Sequence, residues 1–455
     1  MMTRFRSMYS RKLLIAAGTL MLSLLLLLGA IPSYAIEADG GDVTDGASFA
    51  TALGEQAECS TEGDVCTITL NDDVELKASI TLKQGSYILA GDKTITRAAG
   101  FTEPLIILSP GTTLEITDRV VVDGGARWVK DGVETGSAVG AEDSAGATTT
   151  WALIDNLGGE LTLSGSARVC NNDGRCAIWG KDGAVINIAG GQVHGVRSDD
   201  GGGAVACQDT AVKITGGELW GNELFYGFRE PRGSAVYAFE TENAAASTVV
   251  VSNGTIRDGS GPAAIEGANV TVTGGAFTGN AGAALGSDSA SDAVSVSGGH
   301  FANNAGGLYA PIGDDAAPLR LSGGPSFASD ADAKVCGKVQ VDGAISAQNV
   351  YLVPTSYDVG TIAVEGSDYE LTDTDAAVFK LTGNAPEAIQ LLFEPENNRV
   401  TVQNAQQEVS AADEVIALIE ALPDSIGVGD EDAVAEAREA YEALSDEDKA
   451  KVDEA

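Results

Sequence analysis

The chain is poor in most of what builds a large globular core or a nucleic-acid surface. Aromatic residues make up 5% of its 455 positions, which argues against one core filled by bulky rings. Lys and Arg together number 27 against 66 Asp and Glu, a formal net charge of −39. Binding nucleic acid or anionic lipid requires clustered cations that displace counterions, so this balance argues against both partners. Histidine occurs twice, and no CxxC pair or His/Cys cluster is present, so neither a metal site nor a cofactor is expected. Prolines are few, at 12, whereas glycines number 57 and hydrophobic residues 44%. That apolar share is too high for a disordered chain, and much of it is Ala and Val. Such a mixture suits narrow β layers joined by tight turns.

The one long apolar run lies at the start. Arg4, Arg6, Arg11 and Lys12 precede the stretch from Leu13 to Ile31, and Ser33-Tyr34-Ala35 places small residues where a signal peptidase cuts. Residues 1–35 are therefore expected to be a signal peptide, and the mature protein to be extracellular, without a membrane span. The six cysteines suit an oxidising compartment: Cys59 with Cys66, and Cys170 with Cys176, are each close enough in sequence to close a small disulfide loop. Cys207 and Cys336 are expected to be small buried residues.

Internal repetition decides the architecture. A Gly-Gly or near-equivalent pair recurs at 165, 190, 216, 253, 274, 298 and 323. Each pair follows an apolar-x-apolar triplet, beginning at Leu161, Ile186, Val212, Val249, Val270, Val294 and Leu319. One apolar residue follows each pair (Val169, Val193, Leu219, Ile256, Phe277, Phe301, Phe327), and a small residue followed by an apolar one precedes each triplet, as in Ala177-Ile178 and Ala264-Ile265. Alternation with period two is a strand with one buried face. Three such strands per unit, each with its own inward column, predict a three-sided coil that buries its inner face only against its neighbours. Asn172, Asn222, Asn280 and Asn304 add a partial amide column at one corner. The expected fold is an all-β solenoid, a parallel β-helix over residues 60–403. Residues 36–59 form a linker and cap in which Phe49 and Leu53 cover the open apolar end. Residues 404–410 are a polar link. From 411 the period becomes helical, with Val415, Leu418, Ile419 and Leu422 on one face and Val434, Ala437, Tyr441 and Leu444 on another. Segment 411–455 holds 15 acids and three bases and reads as an incomplete acidic helical module.

The units LTLSGSARVCNN, INIAGGQVHG, VKITGGELWGN and VTVTGGAFTGN resemble the right-handed parallel β-helix repeats of bacterial cell-surface proteins with the pectate-lyase-like fold. The stretch VIALIEALPDSIGVGDEDAVAEAREAYEALSDEDKAKV resembles a three-helix module repeated in wall-associated surface proteins. The resemblance implies an extracellular adhesive or display role. It does not imply lyase activity, because the fold hosts enzymes, adhesins and inert stalks alike.

An enzyme of this type acting on acidic polysaccharide needs clustered carboxylates for calcium with an Arg or Lys base, and a hydrolase needs facing acids. The outward column after Leu153 and its equivalents (Ile154, Trp179, Ala206, Tyr237, Glu266, Gly286, Tyr309) offers one carboxylate, Glu266, with no acid in either adjacent coil. Asp199-Asp200, Asp330 and Asp332 are expected to be solvated turn residues, and His194 and His300 to face solvent. No catalytic residue is assigned. The longest interruption of the period, 222–234, gathers Phe225, Tyr226, Phe228, Arg229 and Arg232. Loops on a rigid scaffold commonly carry recognition, so these five residues are the first candidates for ligand binding. An acidic ligand is expected to be admitted there. Trp179, Tyr237 and Tyr309, as an exposed aromatic column suited to stacking on sugars, are the second. The expected function is non-catalytic adhesion or display, with an extracellular glycan or host surface protein as partner. The alternatives are a polysaccharide lyase or glycoside hydrolase, and an inert stalk.

Overall fold

The computed structural model describes residues 35–126, 128–130, 133–135, 150–199, 201–224, 232–239, 246–312, 316–405, 411–423, 427, 430–445, 449 and 452. The expected signal peptide, but for Ala35, lies outside them, as do Phe225, Tyr226, Phe228 and Arg229.

The described chain is mostly β, built from long parallel sheets of 15, 13 and 11 strands. Consecutive strands fall in different sheets. Val65–Leu70 belongs to the 15-stranded sheet, Val74–Leu76 to the 11-stranded one and Ile80–Leu82 to the 13-stranded one; Ser86–Gly91 then returns to pair with Val65–Leu70. Like residues therefore stand over like residues. In the 15-stranded sheet Leu161 pairs in register with Ile186, Ile186 with Val212, Val212 with Val249, and so on to Leu319. All of these are fully buried in one continuous apolar cluster. The intervening Thr162, Lys213 and Thr271 stay outside. Each buried Leu, Ile or Val contributes about 1.5–3 kcal/mol, and the column has no odd member to break it.

The glycine pairs sit where the chain turns between the 15- and 11-stranded sheets. Gly191 has φ +69°, and a Cβ there would lie 2.4 Å from the Ala167 carbonyl oxygen. Gly217, at φ +71°, would place one 2.6 Å from the Gly190 carbonyl oxygen. A side chain would force successive repeats apart, so the pair recurs because stacking requires it.

The asparagine corner is also present. Asn280 donates from Nδ2 to Asn304 Oδ1 at 2.8 Å, and Asn304 donates to the Phe277 carbonyl at 2.8 Å. Asp332, expected to be solvated, instead ends this column: it is 1% exposed and accepts from the Asn304 backbone N–H at 2.9 Å. At the other end, buried Arg97 donates to Asn172 Oδ1 at 3.0 Å.

Both ends of the 15-stranded sheet are antiparallel. Ala57–Glu62 pairs antiparallel with Val65–Leu70, and Cys59 and Cys66 of this hairpin form a disulfide. Helix Gly46–Ala52, capped by Asp45, buries Phe49 edge-on against Tyr87 at 5.2 Å, with Leu53 just beyond it. At the far end, Arg399–Asn404 and Ile389–Glu394 close the sheet antiparallel. Antiparallel terminal strands break the parallel template that another chain could extend. Helices Ala411–Glu420 and Glu431–Ala443 follow, the second with Glu431 and Asp432 at its positive end. Among the described residues no helix is long and apolar enough to cross a membrane.

The Cys170–Cys176 disulfide is not formed. Cys170 ends a strand of the 11-stranded sheet between Asp123 and His194, and Cys176 packs with Ala152, Ala206 and Trp179 at the outer face of the 13-stranded sheet. The corner between them, organised by Asn172, sends the two thiols to different faces. Cys207 is fully buried, as expected, whereas Cys336 is only partly so.

Candidate recognition face

The outer face of the 13-stranded sheet carries the second set of candidates. Its outward column runs Asp155, Trp179, Ala206, Tyr237, Glu266, Gly286, Ala310 in register. Tyr309 does not belong to it. Tyr309 pairs with Leu285, is 1% exposed and donates its hydroxyl to the Ala317 carbonyl. The sequence columns placed it one residue out of step, and with period two a single step exchanges the faces.

Tyr237 is also less open than expected, at 8% exposure. Its cover is aromatic. Phe239, two residues further on, has its ring centroid 5.4 Å from Tyr237 and 5.6 Å from Trp179. The small Ala206 between Trp179 and Tyr237 leaves room for this bridge, and Trp179 packs on Ala152, Cys176 and Ala206. Instead of separated contacts, three rings form one platform, with Trp179 and Phe239 half-exposed. Phe239 was legible only as the next outward position after Tyr237.

Beside the platform lies a charged group. Arg232 Nη1 is 3.2 Å from Glu266 Oε1 and 3.0 Å from Asp288 Oδ2. Glu266 is fully buried, and its Oε2 has no hydrogen-bond partner. Burial pushes its carboxyl up to about 8; Arg232 opposes that rise, and Asp288 and Asp292 add to it. Asp292 is itself pushed up to about 6 by burial, against a 2.7 Å hydrogen bond from the Ser287 hydroxyl. The expectation that Glu266 has no acidic neighbour in the next repeat thus fails: Asp288, just past Gly286, reaches the same guanidinium. The turn acid Asp199, expected in solvent, is 8% exposed.

His194 points outward as expected but is only partly exposed. Its ring stacks on Trp220 at 4.4 Å, and burial, then Arg168 and Arg257, pushes its pKa down to about 4. Cys170 beneath it is held well above the usual thiol range by burial, so this His/Cys neighbourhood does not make an activated nucleophile. His300 is exposed, with Nδ1 3.1 Å from Ser326 Oγ. Among the described residues no group of three or more His, Cys, Asp or Glu is arranged to hold a metal ion.

Neither a protein-family model, nor a curated protein, nor a solved structure matches this chain.

Proposed function

We propose that the protein is an exported, cell-surface, right-handed parallel β-helix with three strands per coil, and that it serves adhesion or display without catalysis. The contact face is the platform of Trp179, Phe239 and Tyr237, with Arg232 at its margin, and the partner is a glycan or a host surface protein. One observation carries this reading. The sole carboxyl of the outward column after Asp155, Glu266, is completely covered, whereas Trp179 and Phe239 on the same face stay partly exposed. A general acid must reach the atom it protonates, and among the described residues Glu266 reaches only Arg232. Planar rings, by contrast, offer area for stacking at small entropic cost.

The ligand favoured by this geometry is uncharged, not acidic. Arg232 is already engaged by Asp288 and by the Glu266 carboxyl, and the body of the protein repels anions. Screening immobilised neutral and acidic glycans and host-cell surfaces with the protein from residue 36 onward tests the reading. Binding to a neutral glycan or surface protein, lost in the double variant Trp179→Ser/Phe239→Ser with the β circular-dichroism signal retained, is the expected result. Release of unsaturated or reducing-end products from any polysaccharide overturns it.

A further inference from the structure

A second face of the molecule carries a feature that adhesion through the Trp179 platform leaves unused. Where the glycine turns meet the outer surface of the 11-stranded sheet there is an open cleft of about 480 Å³, lined by Arg119, Ser166, Arg168, Gln192 and the glycines at 165, 190, 191 and 217. Its floor is backbone, and stacking of the repeats keeps it so.

Arg168 is the arginine of this lining that has no carboxylate partner among the described residues. Arg119, Arg197, Arg232, Arg257, Arg320 and Arg399 each reach a carboxylate. Arg168, exposed and in register with Gln192, reaches none among the described residues. The acid closest to it along its own strand pairing, Asp123, is engaged elsewhere: it accepts from Asn171 Nδ2 at 3.0 and 3.1 Å and from the Gly125 N–H at 2.8 Å. Among the described residues no carboxylate forms an ion pair with Arg168, and Asp123 feels its charge only as the smallest influence after burial and its own hydrogen bonds, which leaves the guanidinium available to an external anion. Arg119 holds Asp92 at 3.4 Å with both side chains more than half exposed, a pair that costs little to exchange.

The adjoining column of the same sheet holds an aromatic reporter for the cleft. Two residues along the strands from Gln192 and Glu218 stand His194 and Trp220, with rings stacked at 4.4 Å and Arg257 over Trp220 at 4.7 Å. Trp220 Nε1 and His194 Nε2 are both buried without a hydrogen-bond partner. A donor left in this state costs about 1–3 kcal/mol; neither ring lines the cleft, and both stand one column beyond Gln192.

We propose that this cleft binds a small ligand bearing a tetrahedral oxyanion, a sulfate or phosphate ester, with Arg168 pairing the oxyanion and Arg119 and Gln192 completing its shell. A planar guanidinium matches two oxyanion oxygens at once, which an ammonium cannot do. Because the whole chain repels anions, the attraction is local and affinity is set by the pairing at Arg168.

Calorimetric titration of the protein with inorganic phosphate, inorganic sulfate, N-acetylglucosamine 6-sulfate and unsubstituted N-acetylglucosamine tests the site. Binding of the anions but not of the neutral sugar is expected, weakened about tenfold or more in Arg168→Gln and partly retained in Arg168→Lys. Tryptophan fluorescence should respond to the anion in the wild type and lose that response in Trp220→Phe. Arg168 is exposed, so its variants should melt like the wild type. The source of the oxyanion is read from the titrations: sulfate without phosphate, or the reverse, assigns the ester. Failure of every anion to bind at 10 mM, or equal affinity in wild type and Arg168→Gln, overturns the proposal.

Discussion

The asparagine corner and the outer face of the 13-stranded sheet both bury polar groups, and the molecule treats the two differently. At the asparagine corner each repeat supplies the partner for the next, so that Asn280 and Asn304 bond along the stack and Asp332 terminates it. On the outer face of the 13-stranded sheet the buried carboxyl of Glu266 has no such column. It depends on one guanidinium that it shares with Asp288, and one of its oxygens stays unpartnered. Repetition satisfies polar groups cheaply, because the geometry that serves one repeat serves all. An isolated polar group needs a charge, and its stability then depends on pH.

Breaking the corner should have the largest effect. Asn304→Ala removes the acceptor for Asn280 Nδ2 and the donor to the Phe277 carbonyl, and should cost about 2–4 kcal/mol in denaturant unfolding at any pH between 5 and 9. Arg232→Ala should cost about 2–4 kcal/mol at pH 8.5 and clearly less at pH 5.5, where the stranded Glu266 carboxyl is neutral. Equal costs at the two pH values would show that Glu266 does not titrate in the fold.

The third prediction concerns the wild type. Glu266 has its pKa raised from 4.5 to about 8 by burial, so the folded state holds this proton more tightly than the unfolded state. Its contribution is complete below 4.5 and is lost as pH rises through about 8. Asp292, raised to about 6, acts in the same direction over a lower range. His194 acts oppositely: with a pKa of about 4 it takes stability away as pH falls from 6.5. Between pH 6.5 and 8 Glu266 dominates, and stability should fall by on the order of 2 kcal/mol as pH rises. Glu266→Gln should flatten that slope. The smallest effect is expected at the platform: Phe239→Ser, removing a half-exposed ring, should shift stability by about 1 kcal/mol, far less than its effect on binding.

The same contrast explains what the sequence revealed. The inward columns from Leu161 to Leu319 and the asparagine corner were legible because each is a repeated signal, and a misassignment in one repeat is corrected by the others. The Cys59–Cys66 bridge was legible because a hairpin brings close neighbours together. Local exceptions were not. The step that buries Tyr309 also buries Ile154, whose outward place Asp155 takes, and the turn that separates Cys170 from Cys176 follows from Asn172 bonding the Trp151, Arg175 and Cys176 carbonyls. Glu266 looked like an exposed outward residue because its cover comes from outside its own column: Arg232 precedes the strand before it and Asp288 follows the one after it. Phe239 was hidden for a similar reason, as its value lies in bridging Trp179 and Tyr237 across an intervening alanine.

The division of roles on the 13-stranded face, with the rings for contact and Glu266 for structure, is tested most directly with Glu266→Gln. Wild type and variant are compared at pH 6.5 for glycan and host-surface binding and for product release from pectic, alginate-like and glycosaminoglycan polymers, with and without calcium. The account predicts the same binding by both proteins and no product from either. Product released by the wild type and abolished in Glu266→Gln would contradict it, because a buried structural carboxyl cannot be the group on which turnover depends.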